Sequence, residues 1–342
     1  MTEPTAAPLL EISHLNTVFP TRSGLVRAVN DVSLRLDRGR ALGIVGESGS
    51  GKSVTMLSVL RLLSPPGRVE SGSVRFDGRE LLELSEREMT RVRGAGIGLI
   101  LQDPMRSINP TRRVGDHIAE GLRLHLKLNR RQARARTIEY LGMVGIPRPA
   151  ERVDDYPHQF SGGMQQRVMI AAAIACEPEL LIADEPTTAL DVTIQAQILR
   201  LIDNLRTELG VAVILITHDV AVVGSFCDEV AVMYAGHVVE QAPSRTLFTD
   251  PRHPYTLGLL RSAPEDDTSE RRRLVPIPGM PPDLARLGDG CPFAPRCEFA
   301  DDRCTSSSPM LRELEHDHWL SCWADVTAET ARVPAAAGQE ET

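Results

Sequence analysis

The run Gly46-Glu47-Ser48-Gly49-Ser50-Gly51-Lys52-Ser53 constrains this chain more than any other segment. It follows an apolar stretch, Ala41-Leu-Gly-Ile-Val45, and precedes Val54-Thr-Met-Leu-Ser-Val-Leu60. Its G-x-x-x-x-G-K-S spacing therefore falls between a buried strand and a helix start, the setting in which such a loop cradles phosphates. Successive backbone N–H groups of the turn wrap the anion, and the helix N-terminus adds a favourable dipole. Lys52 is expected to reach the β- and γ-phosphates of a nucleotide, and the Ser53 hydroxyl to ligate Mg²⁺. Nucleotide hydrolysis is the chemistry this predicts.

The remaining pattern is that of an α/β protein. Residues 9–45 alternate as strands, and Gly72-Ser-Val-Arg-Phe-Asp-Gly adds a further extended segment. From Gly115 to Gly145 the period becomes helical: Ile118, Leu122 and Leu126 lie four apart, and Ile138, Leu141 and Val144 three apart. A helical insert over about 103–165 thus separates two α/β portions. Residues 165–177 read as another helix. Leu180-Leu-Ile-Ala183 and Val211-Ala-Val-Ile-Leu-Ile216 read as strands buried on both faces of a largely parallel sheet. The first of these ends in two acids. Asp184 is placed to present a carboxylate to the Mg²⁺ held by Ser53. Glu185, one step on, is the natural general base for an attacking water.

Motifs in a single order then resemble the ABC ATPases over residues from about 9 to 245. Ser161-Gly162-Gly163 in Phe160-Ser-Gly-Gly-Met-Gln-Gln-Arg167 is similar to the family signature, and Gln102 in Leu99-Ile-Leu-Gln-Asp-Pro to its Q-loop. Thr188-Ala-Leu-Asp191 resembles the D-loop, and Thr217-His218-Asp219 the H-loop. The resemblance implies an ABC-type nucleotide-binding domain over 1–250, with a mostly parallel core sheet, an antiparallel β subdomain and the helical insert. It also implies roles. Glu185 polarises water, His218 contacts the γ-phosphate, and Gln102 is catalytic beside them and joins Ser53 and Asp184 at Mg²⁺. Ser161, Gly162 and Gly163 face the ATP bound by a partner domain, and Asp191 bridges the two halves. Phe19 could stack on adenine, or be simply an apolar residue at a strand end. Met164 departs from the glutamine that most members carry after the two glycines. That variant, with His253-Pro-Tyr-Thr256 and Pro276-Ile-Pro-Gly-Met-Pro-Pro282, resembles the ATPase subunits of oligopeptide/dipeptide importers.

Beyond Pro251 the character shifts to proline, glycine and mixed charge, including Glu265-Asp-Asp to Arg271-Arg-Arg273. Residues 251–290 read as a linker or docking segment. Cys291, Cys297, Cys304 and Cys322 follow within a segment taken as 291–323, and the alanine- and glutamate-rich residues 324–342 read as a disordered tail. Cys176 and Cys227 lie in apolar surroundings and read as core residues. Spacing alone leaves the clustered thiols open between Zn²⁺ and an iron–sulfur cluster. His316 and His318 are candidate zinc ligands or surface histidines. The stretch Cys291-Pro-Phe-Ala-Pro-Arg-Cys297 with Cys322-Trp323 resembles the [4Fe-4S] segment of peptide-importer ATPases.

Composition excludes several classes. A net charge of −8 gives no general attraction to nucleic acid. Nearly all basic residues are arginine; the lysines are Lys52 and Lys127. No apolar run approaches the roughly 18–20 residues that cross a bilayer. The start, Met1-Thr-Glu-Pro-Thr, lacks the basic and apolar regions of a signal peptide. A cytoplasmic protein, peripheral on the inner membrane through its partners, is expected. The resemblance names those partners: a second related ATPase, two permeases whose cytoplasmic helices dock near Gln102 and the helical insert, and an extracytoplasmic binding protein. Peptide cargo follows from resemblance, and nickel, glutathione or another small cargo would leave the same motifs. DNA-repair ABC ATPases carry long inserts that the interval from Lys52 to Asp184 cannot hold. Translation types usually have two nucleotide-binding domains in one chain, and the ribosome-recycling type has its iron–sulfur segments at the N-terminus. A redox-responsive regulatory ATPase would rest on the cysteines alone.

Overall fold

The structure is a computed structural model, and it describes residues 7–22, 24–103, 107–188, 190–263, 275–315, 317–324 and 326. The amino-terminal Met1-Thr-Glu-Pro-Thr, the charge run from Glu265 to Arg273, Ala189 of the Thr188–Asp191 motif, His316, and the tail from 327 onward lie outside these residues.

Two sheets form the frame. The smaller is antiparallel, with β1 (Leu10–Thr21) between β2 (Gly24–Leu36) and β4 (Arg68–Phe76), and with β5 (Arg79–Glu80) at the edge of β4; β3 (Ala41–Val45) lies in the other sheet. In the larger sheet β6 (Ile97–Ile100), β7 (Leu180–Asp184), β8 (Ala212–Thr217), β3 and β9 (Glu229–Tyr234) run parallel in that order. Antiparallel β10 (His237–Pro243), β12 (His318–Leu320) and β11 (Arg312–Glu315) continue it beyond β9.

The period of two along the central strands decides which side chain meets which layer. Leu42, Ile44, Leu180, Ile182, Ile214 and Ile216 face a core shared with Leu10, Ile12 and Leu15 of the small sheet. Their neighbours Ala41, Val45, Leu181, Ala183, Val213 and Leu215 face the other core, shared with Ile118, Leu122, Tyr140 and Leu141 of the insert and Val168 and Ile170 of helix Gly162–Ile174. Both faces are dry, so these strands carry continuous apolar runs. Burying each such aliphatic chain contributes roughly 1.5–3 kcal/mol. Gly43 lies opposite Val223, where a Cβ would approach the valine side chain to 2.8 Å. The helix Val220–Phe226 therefore rests directly on the strand that feeds the phosphate loop.

The region after Pro251 packs more closely than its composition suggests. Pro254–Ser262 is a helix, capped by His253, whose Nδ1 accepts the Tyr255 N–H at 3.0 Å, and Tyr255 is wholly buried. Trp319 and Leu320 of β12 pair with Gln241 and Glu240 of β10, tying the cysteine-bearing segment to the core sheet. Glu240 anchors this joint. Its buried carboxylate accepts the N–H groups of Arg252 and His253 at 2.7 and 3.0 Å and meets His318 Nε2 at 2.8 Å. His318, read from the sequence as a zinc ligand or a surface histidine, is thus a buried partner of Glu240 on β12 of the large sheet. Among the described residues no helix is long and apolar enough to cross a membrane.

Candidate active site

The loop Gly46–Gly51 leaves β3 and turns into helix Lys52–Val59. Three of its residues need backbone angles that L side chains avoid: Gly46 at φ +150°, Gly49 at +80° and Gly51 at +102°. Ser48 and Gly49 stand exposed at the crown, whereas Gly46, Ser50, Gly51 and Lys52 are buried. Lys52 curls back across the loop. Its Nζ donates to the carbonyls of Gly46 and Glu47 at 2.7 and 2.9 Å and lies 3.5 Å from Ser50 Oγ. Burial lowers the Lys52 pKa, and the nearby carboxylates of Glu185, Asp184 and Glu47 oppose that drop.

The two acids meet this loop from the end of β7. Ser53 Oγ donates to Asp184 Oδ1 at 2.8 Å. Burial holds the Asp184 carboxyl above its usual range, and the Glu185 charge adds to the rise, against the Ser53 hydrogen bond and Lys52. A hydroxyl and a carboxylate converging on one point form the hard-oxygen donor set that suits Mg²⁺. Glu185 itself sits at φ +46°, an uncommon conformation for a residue with a side chain. Its N–H donates to the Ile216 carbonyl of β8 at 2.9 Å, which holds that turn.

The Glu185 carboxylate is fixed from three directions. Gln102, just past β6, donates Nε2 to its Oε2 at 2.8 Å, and the Thr188 hydroxyl donates to the same oxygen at 2.8 Å. His218 Nδ1 lies 3.6 Å from Oε1. His218 follows β8 in a turn that Thr217 and Asp219 cap: Thr217 Oγ1 accepts the Asp219 N–H, and Asp219 Oδ1 accepts the Ala221 N–H, each at 3.0 Å. The structure therefore gathers Gln102, Asp184, Glu185 and His218 beside Lys52 and Ser53. Gln102, expected among the catalytic residues and at the metal, is hydrogen-bonded here to Glu185. Thr188 was singled out only as part of a motif, and its hydrogen bond to Glu185 had no sequence signal.

The other candidate residues stand elsewhere. Ser161 begins helix Gly162–Ile174 without a side-chain capping bond, and with Gly162 it is exposed. Gly163 faces Ile194, where a Cβ would come within 3.0 Å. Asp191 caps helix Val192–Leu209, its Oδ1 accepting the Ile194 N–H at 2.9 Å. Phe19 is half-buried on β1, and its ring covers Gly67, where a Cβ would meet it at 2.3 Å.

Two contacts to the phosphate loop come from the far end of the chain. The Glu47 N–H donates to Tyr255 Oη at 2.7 Å. Its carboxylate receives Arg296 in a fork, Nη1 to Oε2 at 2.6 Å and Nη2 to Oε1 at 3.0 Å. Neither partner was legible beforehand. Tyr255 lay inside a segment noted only for its resemblance, and Arg296 between two cysteines.

Near Arg296, Cys291, Cys297, Cys304 and Cys322 line one largely enclosed pocket with Phe293 and Trp323. All are free thiols. Burial pushes Cys297 up to about 11 and Cys322 up to about 12, each raised further by the neighbouring thiols. Among the described residues no three His, Cys, Asp or Glu side chains stand close enough to hold a single metal ion.

A phosphate cradle whose lysine and serine face a carboxylate pair, at the ends of parallel strands, defines a P-loop nucleoside triphosphatase. The comparisons carry this further. Residues 29–188 match the family model "ABC transporter", and residues 239–304 match "Oligopeptide/dipeptide transporter, C-terminal region". A probable peptide ABC transporter ATP-binding protein of Sinorhizobium fredii is 50% identical over 94% of this chain and 96% of its own. The oligopeptide transport ATP-binding protein OppD of Haemophilus influenzae is 48% identical over 92% and 97%, and that of Bacillus subtilis 49% identical over 92% and 88%. The dimeric ATP-binding cassette MJ0796, solved with ADP and Pi, superposes with a TM-score of 0.62 at 27% identity, covering 69% of this chain and 99% of that one. The chain belongs to the ABC transporter ATP-binding proteins of the oligopeptide/dipeptide family, and it is an ATPase.

Proposed function

We propose that this chain powers the import of peptides across the cytoplasmic membrane as one of two ATPases that close head-to-tail around ATP. The observation that carries the reading is the near full-length likeness to peptide transporter ATP-binding proteins, extending through the C-terminal region. Within the pair, Lys52 and the loop amides bind the β- and γ-phosphates. Ser53 and Asp184, with Gln102, would hold Mg²⁺, which would neutralise phosphate charge. Glu185 takes a proton from the attacking water, and His218 contacts the γ-phosphate. Ser161, Gly162 and Gly163 present the exposed helix N-terminus to the ATP of the partner, an anion site by virtue of free N–H groups. Asp191 lies at the opening of the adjacent helix, where the two halves meet. Dimeric MJ0796 with ADP and Pi supports such a pairing.

The permeases are separate chains in this reading, and they hold the protein at the cytoplasmic face. An apolar groove lined by Leu60, Leu62, Leu99, Leu101, Ile108 and His117 opens beside Gln102 and would receive a permease helix. Motion of that helix then acts on the glutamine that touches the base. Purification from detergent-solubilised membranes tests this assembly. Recovery with two permeases, a second ATPase and an extracytoplasmic binding protein is expected. Recovery solely from the soluble fraction, alone or with ribosomes or DNA, would remove the transport reading.

In the same reading Cys291, Cys297, Cys304 and Cys322, which line one pocket, would hold a [4Fe-4S] cluster, as their resemblance to the peptide-importer segment implies, with zinc the alternative. A cluster needs thiolates spread around a core, whereas zinc draws its ligands to about 2.3 Å from one centre. Anaerobic purification should yield about four iron and four acid-labile sulfide per chain. Stoichiometric zinc without iron would exclude the cluster.

A further inference from the structure

Arg296 is far more enclosed than an arginine in a short loop needs to be. Its side chain is 4% exposed, and arginines are rarely buried unless paired. Here each of the three guanidinium nitrogens has a partner. Nε donates to the Pro278 carbonyl at 2.8 Å and Nη1 to Tyr234 Oη at 3.2 Å, in addition to the fork on Glu47. The guanidinium lies 5.8 Å from the Tyr234 ring centre and 5.9 Å from that of Phe293. Tyr234, Tyr255 and Phe293 pack on one another with ring centres 4.6–5.3 Å apart, so the arginine is seated in a rigid aromatic box.

What this box grips is the phosphate loop. Glu47 occupies the second position of the loop, directly before Ser48 and Gly49, and its charge is close enough to act on Lys52. A free carboxylate there would oppose an incoming triphosphate and compete with it for the Lys52 ammonium. The bidentate arginine offsets the charge of that carboxylate and fixes its orientation. Tyr255 acts on the same residue through the backbone: its oxygen takes the Glu47 N–H at 2.7 Å, which fixes the peptide plane at the start of the turn.

We propose that Arg296, supported by Tyr255, is a positioning residue for ATP binding: it holds and neutralises Glu47 so that the loop of this chain is preformed for the triphosphate. The C-terminal segment is on this account a working part of the nucleotide site, although Arg296 and Glu47 are 249 positions apart in sequence. Arg296 also adjoins Cys297, so the loop that carries the thiols carries the arm that reaches the ATP site. The inference rests on the ATPase itself and is independent of cargo.

The test uses the full chain and a fluorescent ATP analogue, with nucleotide-free thermal unfolding measured alongside. Arg296→Met keeps the long stem and removes the charge. It should weaken nucleotide binding roughly tenfold or more, since it strands the Glu47 carboxylate. Arg296→Lys should lose less. The decisive variant is the double Glu47→Gln, Arg296→Met, in which no stranded charge remains: it should recover most of the affinity. A mere staple between segments predicts no such rescue, because the double variant lacks the ion pair just as the single one does. Parental affinity in folded Arg296→Met, or a double variant no better than the single, would overturn the proposal. If Arg296→Met fails to fold, the double variant and Arg296→Lys still decide, because rescue of both folding and affinity is expected from the former.

Discussion

Glu185→Gln abolishes turnover and leaves ATP bound. Loss of a general base removes about 10²–10⁴ in rate, and a fall of at least a thousandfold in the assembled complex is expected here. The substitution is nearly isosteric, so the surroundings should hold. Both hydrogen bonds that Glu185 Oε2 accepts, from Gln102 Nε2 and Thr188 Oγ1, can be accepted by an amide oxygen. The turn at φ +46° is maintained by the backbone bond to Ile216 and is indifferent to the exchange of a carboxylate for an amide. What the amide cannot do is take a proton. Steady-state hydrolysis and retention of nucleotide after gel filtration distinguish the two functions. The variant should retain ATP with an affinity near the parental one and accumulate the closed pair. Hydrolysis at the parental rate in the complex would show that the base lies elsewhere.

The parts of this site that were legible in the sequence are those set by local pattern. A strand buried on both faces must be a continuous apolar run, and Ala41–Val45, Leu180–Asp184 and Ala212–Thr217 each have one. The residue that ends such a run is placed at the sheet's C-terminal edge, which is why Lys52, Ser53, Asp184, Glu185 and His218 could be assigned to one locus. The side chain that Gln102 touches was another matter. Reach toward a metal and reach toward Glu185 are the same direction at this edge, and only coordinates separate them. Tyr255 and Arg296 were illegible for a different reason. Their partner is Glu47, and nothing in the spacing of distant residues encodes an ion pair across more than two hundred positions. The attachment of β12 to β10 was hidden likewise: a strand of three residues, His318–Leu320, is too short to show a period. Phe19 carried a bulky ring and an open reading, and its packing on Gly67 arises from a loop turning back beneath β1.

The loop glycines are separable by what surrounds them, and that gives the second large effect. Gly46→Ala should cost about 4–5 kcal/mol of stability and eliminate ATP binding, a magnitude reached only by substitutions with a definite steric cause. A Cβ at Gly46 would lie 2.1 Å from the carbonyl oxygen of Met233 and 2.9 Å from Ser50 Oγ, at φ +150°. Met233 belongs to β9, which runs beside β3 with Val45 opposite Val232. Met233 is itself paired with Val238 of β10, so its carbonyl cannot recede without disturbing the sheet around β9. Gly49→Ala differs. Its φ of +80° disfavours a side chain, yet nothing lies within 4 Å of the new methyl group. Only the backbone penalty of about 1–2 kcal/mol applies. Urea unfolding of the two variants, read at equal slope, measures the difference directly. A separation of about 2 kcal/mol or more is expected, with Gly46→Ala the weaker protein. Equal midpoints would mean that conformational freedom alone governs the loop, and that contact with β9 plays no part in shaping the phosphate cradle.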